Sequence, residues 1–67
     1  MKYMTVHEYE KQLILADIQR TKQALDNVYD NFQNVVDPDL IDSYIYEAKA
    51  IQQKYSYLLK QAKLLQI

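Results

Sequence analysis

The chain has 67 residues, 8 basic and 9 acidic side chains, and a net charge of −1, which fits one small domain and does not suggest a bulk polyanion binder. It contains no cysteine, so disulfides, thiolate nucleophiles and cysteine-zinc sites are excluded. There is no glycine and one proline. A multi-stranded sheet protein needs far more turn-forming residues than that, whereas Gln, Lys, Leu, Ala and Glu are good helix formers.

Helix signals begin at Thr5, an N-cap residue type. Glu8 follows at capping-box spacing, and Met4 and Tyr9 stand where a hydrophobic staple would form. Beyond it, Ile14, Ile18, Thr21, Leu25, Val28, Phe32 and Val35 are spaced 4, 3, 4, 3, 4, 3, which is a heptad seam. Toward the N-terminus that seam would pass through Lys11 and His7. The apolar face is therefore expected to shift there to Val6, Tyr9 and Leu13. The first helix is placed at about 6–34.

The stretch Asp37-Pro38-Asp39-Leu40-Ile41-Asp42 ends that pattern and starts another. A residue before proline is pushed to extended geometry. Asp37 is a strong N-cap, Pro38 then falls at the first helical position, and Asp39 and Asp42 lie near the positive end of the helix dipole. The connection is placed at Asn34 to Val36. A second helix is expected over about 38–66, with the seam Ile41, Tyr44, Ala48, Ile51, Tyr55, Leu58, Ala62 and Leu65. So short a link makes the helices antiparallel neighbours.

The fold class is thus all-α: an antiparallel two-helix hairpin formed by one domain, residues 1–67. Apolar residues outside the seams include Leu13, Leu15 and Ala24 on helix 1. On helix 2 they include Leu40, Ile45 and Leu59, and a broken stripe of Tyr46, Ala50, Tyr57 and Leu64. This apolar surface is too wide for a strict two-stranded coil, so dimerisation into a four-helix bundle is expected. Residues 26–47 hold six acids (Asp26, Asp30, Asp37, Asp39, Asp42, Glu47) and no base. The basic far end of helix 2 is expected to fold back onto Glu8, Glu10 and Asp17.

Chemistry-bearing patterns are sparse. His7 is the only histidine, Ser43 and Ser56 lie far from it in sequence, and no enzyme activity is expected. Asp37, Asp39 and Asp42 lack the glycine and the closing glutamate of a calcium loop. They read as helix capping, so no metal or cofactor is expected. The longest apolar run is Leu13-Ile14-Leu15-Ala16, far short of a membrane span, and the N-terminus is polar by position 5, unlike a secretory signal. A cytoplasmic protein is expected. Candidate interaction residues are Tyr46, Lys49, Tyr57, Lys60 and Lys63 on the outer side of helix 2. The expected partners are a second copy of the chain and an unidentified protein. The alternative is a nucleic-acid-associated protein using the same basic face, where lysines interleave with tyrosines.

The segments Asp37 to Asp42, Ile45-Tyr46-Glu47 and Lys54 to Lys63 together resemble the YaaL-like family, short proteins of Gram-positive bacteria classed as a domain of unknown function. The likeness is greatest over 37–63 and extends into helix 1 through Leu25, Tyr29 and Phe32. Family members often carry a tryptophan in helix 1, which this chain lacks. The resemblance implies a small cytoplasmic helical protein and supplies no reaction or ligand. A second comparison, with small helical aspartyl phosphatases of sporulation phosphorelays, fails because their Ser-Gln-Glu-Leu-Asp signature is absent.

Overall fold

Two capping aspects of the sequence determine where the helices begin. The computed structural model describes residues 5–66. In it Thr5 is extended and its Oγ1 accepts from the backbone N–H of Glu8 at 3.1 Å, opening α1 (Val6–Phe32). Asp37 is also extended, and its Oδ1 accepts from the N–H of Asp39 at 2.9 Å. Helix α2 (Pro38–Leu64) therefore starts with proline in its first turn. Each helix has 27 residues, roughly 40 Å of axial rise. The expected staple involves Met4 and lies outside the described residues.

Helix α1 stops two residues earlier than the 34 read from the seam. Its end tightens into shorter-range turns: the N–H of Asn34 bonds the carbonyl of Asn31, and that of Val35 bonds Phe32, both at 3.3 Å. The Asn34 side chain also donates to the Asp30 carbonyl at 3.5 Å. Asparagine competes for backbone partners in this way, which draws it out of helix interiors and into their ends. Helix α2 ends with Leu65 as C-cap, and Gln66 takes a positive φ of 59°. That is the left-handed closing residue common after helices, here without the glycine that usually supplies it. The turn accounts for α2 stopping short of 66.

The helices pack side by side and antiparallel, in a body measuring 53 × 24 × 12 Å. All eight seam residues of α2 are buried or half-buried, with Ala48, Leu58 and Ala62 most enclosed. Along the first seam, Thr21 and Val28 are buried and Ile14, Ile18, Leu25 and, past the end of α1, Val35 are half-buried. Phe32, at the rim, is 37% exposed. Crevices along the two sides set the register: Val28 and Phe32 lie beside Tyr44 and Ala48, and Thr21 beside Ile51. The Gln52 amide donates to the Tyr29 hydroxyl across the same interface.

One expected feature is overturned. The apolar face does not move to Val6, Tyr9 and Leu13 near the N-terminus. All three are exposed, Val6 at 75%, while Lys11 is half-buried and prolongs the seam. The register explains this. Opposite Lys11, α2 has reached its C-cap Leu65, so among the described residues α2 offers the first turn of α1 no further seam position. Nor do the lysines of α2 pair with Glu8, Glu10 or Asp17. Asp17 pairs with Arg20, one turn along the same helix, and among the described residues no ion pair joins the two helices. A partner three residues away needs no ordering of a second helix's long side chain, which favours the local pair.

The Asp37 cap yields a direct test. Asp37→Ala is expected to lower stability by about 1 kcal/mol, and Asp37→Asn by far less, because only alanine loses the acceptor. Urea denaturation followed by circular dichroism measures both.

Candidate interaction surface

Because the α2 seam faces α1, the positions half a turn away face solvent. Tyr46, Lys49, Gln53, Tyr57, Lys60 and Leu64 recur at spacings of 3, 4, 4, 3 and 4, and all are exposed. They form one stripe along the back of α2. Tyr46 is 72% and Tyr57 59% exposed, unusually bare for rings with this much apolar area.

The structure brings Lys49, Tyr57 and Lys60 together. With Gln52, Gln53 and Ser56 they line a shallow open groove. Lys60 also borders a second depression with Lys63, Leu64 and Gln66, so four of the five sequence-identified residues line adjoining hollows. Tyr46 lines neither and stands one turn before Lys49. Each hollow is built from α2 and its C-terminal cap alone, with no wall from α1. The first offers ammonium, amide and hydroxyl donors beside an aromatic face, and it does not enclose a small molecule. Such a surface suits a flat or convex macromolecular partner.

Elsewhere the titratable side chains are dispersed. Among the described residues no three His, Asp or Glu side chains gather as metal ligands, and no helix is long and apolar enough to cross a membrane. His7, Ser43 and Ser56 are each exposed.

A second feature escaped the sequence reading. Val28, Tyr29, Phe32, Tyr44, Ile45 and Ala48 line an almost wholly apolar crevice on one side of the hairpin. The opposite crevice is lined by Asp17, Arg20, Thr21, Ala24, Ile51 and Lys54 and mixes charged with apolar groups. The signal was present in the heptad positions beside the seams, where Leu15 and Tyr29, and Ile45 and Leu59, each stand fourteen residues apart. Which flank of α1 meets which flank of α2 depends on the antiparallel register, and only the packed hairpin displays it.

A family model described as Protein of unknown function (DUF2508) matches residues 1–67. No curated protein and no solved structure matches the chain.

Proposed function

The chain belongs to the DUF2508 family over its whole length, and from that premise we propose that it is a non-enzymatic cytoplasmic interaction protein, an adaptor or regulator that works as a homodimer. The YaaL-like likeness of residues 37–63 belongs to the same proposal. The observation that carries it is the solvent-facing stripe on α2, where Tyr46 and Tyr57 alternate with Lys49 and Lys60, with Lys63 beside it. Exposed tyrosines supply large contact area with little side-chain entropy to lose, and they are enriched where protein surfaces meet. Lysines around them favour a partner surface bearing carboxylates.

The test is affinity purification with the wild-type chain and with Tyr46→Ala/Tyr57→Ala, from the native host. One or more proteins are expected to be retained by the wild type and lost by the double variant, whose helicity stays native because neither ring is in the seam. Retention of the same proteins by both removes the stripe from the proposal.

The grouping of Lys49, Tyr57 and Lys60 in one groove favours a second reading, association with nucleic acid. That reading requires binding that weakens steeply with salt and is lost on Lys60→Glu/Lys63→Glu. Absence of a gel shift at low salt dismisses it.

A further inference from the structure

The two long sides of the hairpin differ. On one, Tyr29, Phe32 and Ile45 rim the apolar crevice, and Leu15 and Leu59 continue the same flank toward the open end. All five are 37–45% exposed. The other side carries the Asp17–Arg20 pair and Lys54. The first side thus carries two apolar patches, one around Tyr29, Phe32 and Ile45 and one of Leu15 and Leu59, with Lys22 and Gln52 exposed between them.

Two quantities indicate what covers it. The chain exposes 5647 Å². A compact monomer of its 8.0 kDa mass would expose roughly 4,450 Å². The excess, about 1,200 Å², belongs to the whole elongated body of 53 × 24 × 12 Å, and packing two hairpins side by side would remove the ~800 Å² per partner of a standard interface from it. The charge is also polarised along the hairpin. Of 9 acidic side chains, six lie at the tip in residues 26–47, and all 8 basic side chains lie outside that segment with the other three acids. The tip therefore carries −6 and the remainder +5.

We infer that a second copy of the chain packs on the Tyr29–Ile45 flank in head-to-tail order, the acidic tip of each protomer beside the basic open end of the other. A self-complementary dimer has one twofold axis. Set along the hairpin, that axis would bring two tips of −6 together. Set across it, the axis pairs each tip with the opposite charge. The apolar patches supply the contact and the charge selects the orientation. The inference rests on the homodimer part of the proposed function and specifies the face and order of that dimer.

Sedimentation equilibrium on the full chain tests it. The wild type is expected to be dimeric at micromolar concentration. Asp26→Lys/Asp30→Lys should dimerise about tenfold more weakly. These changes lie near the C-terminal end of α1, where lysine suits the helix dipole, so folding is retained. An equimolar mixture of that variant with Lys60→Glu/Lys63→Glu should regain the wild-type affinity. Ile45→Lys or Leu15→Lys should give a helical monomer, whereas Ala50→Lys on the back of α2 should leave the dimer intact. A wild-type monomer overturns the homodimer reading itself. A dimer that survives both flank substitutions overturns the face alone. A dimer indifferent to the charge reversals, or a mixture that stays weak, overturns the head-to-tail order alone.

Discussion

Replacing Leu58 by alanine is expected to lower the unfolding free energy by about 2–3 kcal/mol, the lower part of the range for Leu→Ala in cores. Leu58 is only 6% exposed and lies mid-seam on α2. The other buried apolar residues are Val28 and two alanines, Ala48 and Ala62. Leu58 is therefore the largest enclosed apolar side chain of the described residues, and no deeper layer can take over its contacts. The loss falls below the upper limit because its half-buried neighbours can relax into the space. Small domains have roughly 0.05–0.15 kcal/mol of stability per residue, so this single change removes a large share of the total. The midpoint of thermal unfolding should fall by about 4–8 °C per kcal/mol. Leu64→Ala, at an exposed site six residues on, should change stability by no more than about 0.5 kcal/mol. Equal effects at the two positions would place the core elsewhere.

Ala48→Leu is expected to destabilise by about 1–3 kcal/mol for the opposite reason. Ala48 is buried against Val28 and Phe32 at the edge of the narrow apolar crevice, so a longer side chain must displace α1 or bend into that crevice. Leucine is as good a helix former as this position needs, so propensity does not account for the loss. The added atoms must push α1 away or take a strained rotamer. Ala50→Leu, two residues along and exposed, should be nearly neutral. Parallel urea titrations of the two variants decide the matter. A neutral Ala48→Leu would mean that the crevice accommodates the leucine and that Ala48 does not set the approach of α1 and α2. Because this position is close to the apolar crevice, the variant also bears on self-association, and sedimentation should accompany the titration.

Much of the hairpin was legible residue by residue. Thr5 and Asp37 opened the helices where their side-chain oxygens were expected to cap them, since capping depends on atoms two or three residues away. The α2 seam was read without an error because a helix facing one neighbour buries one stripe, and a stripe of period 3.5 is visible as spacing. The ends were less legible. Asn34 left α1 for a local bond, and Gln66 closed α2 without glycine, both choices among conformations of similar energy. The first turn of α1 was misread because Val6, Tyr9 and Leu13 are apolar, and apolarity states what a residue favours, not whether a neighbour is present to meet it.

The candidate surface divides in the same way. The stripe of Tyr46, Lys49, Tyr57 and Lys60, with Lys63 beside it, follows from the seam by geometry, because the back of a helix is whatever the seam is not. The apolar crevice around Tyr29, Phe32 and Ile45 does not follow, since it joins flanks of two helices.

By itself the sequence determined the helix starts, the two seams, the antiparallel turn and the concentration of acid at the tip, all consequences of bonds and spacings within a few residues. Only the tertiary structure decided the register between α1 and α2. That register depends on how Ala48 fits beside Val28 and Ile51 beside Thr21, a matter of side-chain volume across the interface. From it follow the bare first turn of α1, the local Asp17–Arg20 pair, and the apolar patches left open on one side of the hairpin.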